Sequence, residues 1–182
     1  MDKVAIFIDG GYISRVLQDE FNGQKIDFSK FSIELASGRN ILRTYYYDCM
    51  PYQSTSPTQE EQNRYNNKNR FFSMLEKNSK FEVKKGKLAY RGVDSNTGKP
   101  IFEQKRVDLM LGLDIANLSI KGKISCAIIV AGDSDFIPAI EIAKNEGVEV
   151  HLVHGRVRHD DIWLLCDERH PIDAALISKV SR

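Results

Sequence analysis

Residues 3–8 and 124–131 are apolar at nearly every position. A strand apolar on both faces is buried on both faces, which places it in the middle of a parallel sheet. Residues 41–47, rich in β-branched and aromatic side chains, and residues 148–153 read as two further strands. Between the strands the period changes. Ile13, Val16, Leu17 and Phe21 recur at helical spacing within 11–21, and Asp27 is placed to cap a second helix over 28–37 that Gly38 ends. Ser56-Pro57-Thr58-Gln59 resembles a capping box with proline at the first helical position, so a polar helix is expected from there to residue 77. Residues 81–83 and 87–91 are short strand candidates around Gly86, and 94–98 is a turn. The next helix opens at Gln104-Lys105-Arg106-Val107-Asp108. Helices are also expected over 137–145, stopped by Gly147, and over 160–166, while the tail from Ile172 has no clear pattern. Strands alternating with helices predict a three-layer α/β sandwich with a mainly parallel central sheet. At 182 residues this is one domain, with an excursion over 53–103 and a C-terminal extension over 160–182.

The net charge of +1 is unevenly spread. Residues 64–91 hold nine Lys or Arg against two Glu, which leaves the remainder of the chain acidic. The segment interleaves Arg64, Lys68, Arg70, Lys84, Lys85 and Lys87 with Tyr65, Phe71, Phe72, Phe81 and Tyr90. That mixture suits a nucleic-acid track, with cations on phosphates and aromatics under bases. It equally suits a solvated helix face whose phenylalanines are core, and the aromatics are read as core here. Cys49, Cys126 and Cys166 are isolated and form no C-x-x-C, which argues against disulfides or zinc and fits a reducing cytoplasm. His151, His154, His159 and His170 make no zinc pattern with those cysteines; His151 alternates within a strand as a structural residue. The chain starts directly with a strand pattern and has no run approaching a membrane span, so neither a signal peptide nor a membrane partner is expected.

Both central runs end in aspartate and glycine: Asp9-Gly10-Gly11 after the first, Gly132-Asp133-Ser134-Asp135 after the third. In an open parallel sheet, ligands bind beyond the carboxyl ends of the strands. Asp108, in the first turn of the helix feeding the third strand, is placed to face the same point. Asp9, Asp108, Asp133 and Asp135 would then form a cup of oxygen ligands suited to Mg²⁺ or Mn²⁺. Without an ion such a cluster repels itself, so at least one member should titrate above the ordinary range. Asp114, six residues after Asp108, should face elsewhere. The plainer alternative is that these aspartates cap helices and turns, and that Ser134 caps the following helix. Gly10, Gly11 and Gly132 read as turn glycines.

Taken in order, Val4-Ala5-Ile6-Phe7-Ile8-Asp9-Gly10, Arg43-Thr44-Tyr45-Tyr46-Tyr47-Asp48, Gln104-Lys105-Arg106-Val107-Asp108-Leu109 and Ala131-Gly132-Asp133-Ser134-Asp135-Phe136 resemble the NYN-domain family, in its LabA-like group related to PIN-domain ribonucleases. The resemblance implies a PIN-like (Rossmann-like) fold and metal-dependent cleavage of RNA, single-stranded RNA above all, leaving a 5′-phosphate. It implies a metal role for Asp9, Asp108, Asp133 and Asp135, a catalytic one for Asp9, Asp108 and Asp133, and for Ser134 the orientation of a water or a carboxylate. Tyr12 stands where the family usually has asparagine, so a polar contact near the ion is either lost or replaced by the phenol. Candidate substrate-binding cations are Lys105 and Arg106 beside Asp108, Lys84, Lys85 and Lys87 in the basic segment, and Arg156 and Arg158 after the fourth strand, where His159 could also line the cleft.

Two other readings compete. A non-catalytic RNA-binding or regulatory module would keep the fold and a structural ion. A haloacid-dehalogenase-type phosphatase has a last acidic motif like Gly132-Asp133-Ser134-Asp135. That class also needs an aspartate two residues after its nucleophile, where this chain has Gly11. Trp163 with Leu164 and Leu165 is a core anchor or an oligomer contact, which leaves a homodimer open.

Overall fold

Strand β1 (Lys3–Asp9) lies at the centre of a seven-stranded sheet because residues 4–8 have no polar side chain on either face, and all five are fully buried. The computed structural model describes residues 2–98 and 100–182, apart from the side chains of residues 102–105. Helix α1 (Gly10–Glu20) follows, then α2 (Phe28–Ala36), capped by Asp27 as its sequence predicts, and β2 (Asn40–Cys49). Helix α3 (Gln59–Glu76) leads to β3 (Phe81–Val93) and β4 (Pro100–Lys105), and α4 (Val107–Ile120) to β5 (Cys126–Val130). A single 3₁₀ turn (Ser134–Phe136) runs into α5 (Ile137–Asn145). Then come β6 (Glu149–His154), α6 (Asp160–Leu165), β7 (Glu168–Pro171) and α7 (Ala174–Val180).

The strand order is β4-β3-β2-β1-β5-β6-β7, parallel throughout except for the β3–β4 hairpin. Apolar side chains of α1, α2, α3 and α7 cover one face, those of α4, α5 and α6 the other. This is the predicted three-layer sandwich. The chain winds from β1 toward β2 on one side and returns to β5 on the other. The order therefore reverses at β1, the place where open sheets leave a crevice at their carboxyl edge.

The excursion differs from what its sequence predicts. The polar helix is capped by Thr58, whose hydroxyl accepts from Glu61 N while the Glu61 carboxylate accepts from Thr58 N, so the box sits two residues later than expected. Gly86 interrupts nothing, and the two short candidates are one continuous strand, β3. The expected turn at Asp94 forms, and β4, which no sequence pattern marks, pairs back onto β3. Arg106 takes a left-handed conformation (φ 77°) and delays α4 to Val107. The tail gains β7 and α7, whose four and seven residues are too short for a periodic signal. No described helix is long and apolar enough to cross a membrane.

Candidate active site

Ile8 and Val130 are partners in the parallel pairing of β1 with β5, so Asp9 and Gly132-Asp133 leave the same edge of the sheet side by side. Asp9 caps α1, its Oδ1 accepting from Tyr12 N at 3.0 Å. Asp133 caps the 3₁₀ turn, its Oδ1 accepting from Asp135 N at 3.1 Å, so Asp133 holds the position the sequence suggested for Ser134. Asp108 enters from the first turn of α4.

Asp108 lies in the field of Asp9 and of Asp133 and Asp135. Burial pushes the Asp9 carboxyl up to about 6, Asp108 adds to the rise, and the Tyr12 N–H opposes it. Asp108 is also raised, by burial first and then by Asp133 and Asp135. Desolvation is therefore the larger cause, with like charge behind it. No three of these carboxylates bring oxygens within 4.8 Å of one another. Asp9 and Asp133 each use an oxygen as a cap, and like charges with no cation between them stay apart. Among the described residues no Lys or Arg forms an ion pair with any of the four. Four other aspartates do have such a partner: Asp48 has Lys68, Asp114 has Lys84, Asp160 has Arg158 and Asp167 has Lys144.

A cleft of about 570 Å³ opens against this edge, and its lining includes Asp9, Tyr12, Arg15, Asp133, Arg156 and Arg158. The Tyr12 hydroxyl donates to Val157 O at 2.8 Å and accepts from Gly155 N at 2.9 Å. Both interactions go to the loop after β6, so the phenol does not reach the carboxylates as a substitute for asparagine; its backbone N–H reaches Asp9 instead. Glu20 adds a second tie, accepting from Arg156 N at 2.7 Å. α1 thereby holds the loop that carries Arg156 and Arg158 beside the acids.

Two glycines make this packing possible. Neither Gly10 nor Gly132 has a positive φ, so their need for glycine is steric rather than torsional. A Cβ on Gly10 would lie 2.7 Å from the Tyr46 ring and 2.8 Å from Asp48 Oδ2. One on Gly132 would run into the Tyr12 ring and lie 3.0 Å from Val157 O.

The candidate substrate cations separate. Arg156 and Arg158 line the cleft; Arg158 Nε is buried without a hydrogen-bond partner, and its guanidinium lies over Trp163 at 5.1 Å. Arg106 is exposed just ahead of Asp108, and the Lys105 side chain lies outside the described residues. Lys84 and Lys85, adjacent on a strand, point to opposite faces. Lys84 pairs with Glu82 at 2.8 Å and lies 5.7 Å from the Tyr45 ring, on the α4 side. Lys85 lies 3.6 Å from Glu76 and 5.6 Å from the Phe72 ring, on the α3 side, and Lys87 is exposed. The three do not form one track. Phe72 is fully buried and Phe71 and Phe81 pack against the same core, as expected.

Three features are not anticipated by the sequence patterns above. Arg15 reaches the cleft from α1, on the helix face that also presents Tyr12, Val16, Asp19 and Glu20; that spacing was the available signal. Asp48 is the penultimate residue of β2, near the end of the strand as Asp9 is at the end of β1, and is buried against Gly10 with Lys68 as its partner. At the other end of the strands, Cys126 and His151 come together with Glu149, although spacing along the chain gave no such pattern. The contact is made by the β5–β6 register, which pairs Cys126 with Glu149.

A family model described as NYN domain matches residues 3–172. The crystal structure of a protein of unknown function from Vibrio parahaemolyticus RIMD 2210633 superposes with a TM-score of 0.66 at 18% identity, covering 100% of this chain and 96% of that one. No curated protein matches the chain.

Proposed function

Because the chain belongs to the NYN domain family, whose domains are PIN-like and act on RNA, we propose that it is a metal-dependent endoribonuclease whose centre is Asp9, Asp108, Asp133 and Asp135. One observation carries the reading: Asp108 lies in the field of Asp9, Asp133 and Asp135 at the carboxyl edge, burial and like charge raise both Asp9 and Asp108, and among the described residues none of the four is in an ion pair with Lys or Arg. These mutually repelling carboxylates, Asp9 partly buried and Asp108, Asp133 and Asp135 exposed, are an oxygen donor set that fits Mg²⁺ or Mn²⁺. When bound, such an ion supplies Lewis-acid polarisation of a phosphodiester and a more acidic water.

The remaining roles fall to the chain itself. Arg15, Arg156 and Arg158 give the cleft positive charge opposite the acids, suited to the phosphates flanking a scissile bond. Tyr12 and Glu20 fix the loop bearing the last two. Ser134, between two of the acids, is assigned the orientation of a water or a carboxylate. Arg106 and Lys105 are assigned phosphate contacts on the α4 side of the centre. Lys85 and Lys87 are assigned a distal contact with the strand, and Lys84, directed to the other face of β3, a lesser one. No side-chain nucleophile is needed.

The test is incubation of the purified protein with end-labelled single-stranded RNA, with Mn²⁺ or Mg²⁺ and with chelator. Internal cleavage that requires the ion is expected. Ion-independent cleavage would overturn the reading, and RNA binding without cleavage under any ion would support the non-catalytic module.

A further inference from the structure

Parallel register sets Cys126 opposite Glu149 and Ile128 opposite His151 on β5 and β6, and Val153 opposite His170 on β6 and β7. Paired residues share a face of the sheet, as do residues two apart on one strand. Cys126, Glu149, His151 and His170 therefore project to the same side, at the edge of the sheet opposite the aspartates. The Cys126 sulfur, a Glu149 carboxylate oxygen and a His151 ring nitrogen all lie within 4.8 Å of one another.

The His151 ring is buried, and its Nε2 is 2.9 Å from Glu149 Oε1. The contact does not have hydrogen-bond geometry, although the imidazole, after Arg39, helps to hold the Glu149 carboxyl below its ordinary value. An imidazole nitrogen, a carboxylate oxygen and a thiol that converge this closely can share one ligand. The other ring nitrogen, Nδ1, is 3.3 Å from His170 Nε2. A metal-bound histidine commonly has its second nitrogen held by such a neighbour. Arg39 Nη1 holds Glu149 Oε2 at 2.8 Å, which fixes the carboxylate and leaves Oε1 turned to the cluster.

We propose that Cys126, Glu149 and His151 form a binding site for a thiolate-preferring divalent transition metal of the zinc type, with His170 as a positioning residue. Sulfur, nitrogen and oxygen together select against the hard Mg²⁺ or Mn²⁺ assigned to the aspartates. Three protein ligands leave a fourth position for water, reached past the half-exposed Glu149. Binding releases the Cys126 proton to solvent as the sulfur–metal bond forms. Because the sulfur must give up that proton to bind, binding strengthens as the pH rises. The ion would tie the starts of β5 and β6, a site independent of the RNA-cleaving centre.

Co²⁺ is the probe, because a thiolate ligand gives it a sulfur-to-cobalt charge-transfer absorption that carboxylates do not. Titration of the full chain is expected to produce that band with one equivalent bound. Zn²⁺ should displace it, and Cys126→Ser should abolish it. His170→Ala should weaken binding by about 10- to 100-fold. Cys49 and Cys166 are also free thiols, so a band that survives Cys126→Ser would overturn the assignment. So would the absence of any band in the parent chain. Should Cys126→Ser fail to fold, Glu149→Gln at a partly exposed position serves instead: a loss of Co²⁺ affinity of about tenfold or more is expected, and unchanged affinity would overturn the proposal.

Discussion

Asp9 combines three roles in one side chain: end of a strand, cap of a helix, and wall of the cleft. Its carboxyl titrates near 6 when folded, above the ordinary aspartate value of 3.8. The folded protein therefore binds more protons than the unfolded chain between those values, so the Asp9 contribution to stability is present below about pH 4 and lost as pH rises through 6. In chelator, the stability of the parent chain relative to Asp9→Asn is expected to fall by on the order of 3 kcal/mol between about pH 4 and pH 7. Urea denaturation at the two pH values measures it, and a difference that rises with pH would contradict the burial account. Tyr12 is the other residue on which the edge depends. Tyr12→Phe removes a hydroxyl bonded to Val157 O and Gly155 N and is expected to cost about 1–3 kcal/mol. It should also raise KM for RNA more than it lowers kcat, because the arginine loop loosens while the acids stay; an unchanged KM would separate loop from substrate. Asp9 was legible in the sequence because strand, aspartate and glycine are contiguous. The role of Tyr12 was not, because its partners lie far along the chain, 145 and 143 residues away, and are backbone atoms, which carry no residue signature.

At the scale of elements, the central strands and flanking helices followed from periodicity alone, since apolar runs and helical stripes report burial directly. The excursion did not. β4 pairs with β3 through backbone hydrogen bonds, with Tyr90, Val93 and Ile101 exposed, so no apolar alternation marks it. Helix α3 is tied to the edge by an ion pair the sequence could not show: Lys68 on Asp48, a nearly fully buried carboxylate near the end of β2. Lys68 also lies 5.2 Å from the Phe72 ring. Lys68→Met leaves Asp48 uncompensated and is expected to destabilise by up to about 3 kcal/mol, below the full buried-pair value because Lys68 is partly exposed. Adding Asp48→Asn should recover most of the loss. A double variant no better than the single one would mean that Asp48 is held by its other contacts, among them Cys49 N.

For the whole molecule, the parallel sheet brings the start and the last third of the chain to one edge, and the candidate centre exists only through that topology. The basic segment 64–91 is divided by it: Lys84 and Lys85 face opposite sides of β3, while Arg156 and Arg158 stand beside the acids. Replacing Arg156 and Arg158 by Ala is therefore expected to weaken RNA binding and to flatten its log–log salt dependence. On single strands the slope should drop by about 0.7 for each phosphate that is no longer neutralised. Lys84→Ala should leave the slope nearly unchanged. Equal effects from the two would return the substrate path to β3. The most direct test of the central claim is a comparison of the parent chain with Asp133→Asn under single-turnover conditions at saturating protein, with Mn²⁺ and labelled single-stranded RNA. The variant is expected to keep its fold and its metal-free RNA affinity while cleavage falls to background. Cleavage at the parental rate by a folded Asp133→Asn protein would contradict it.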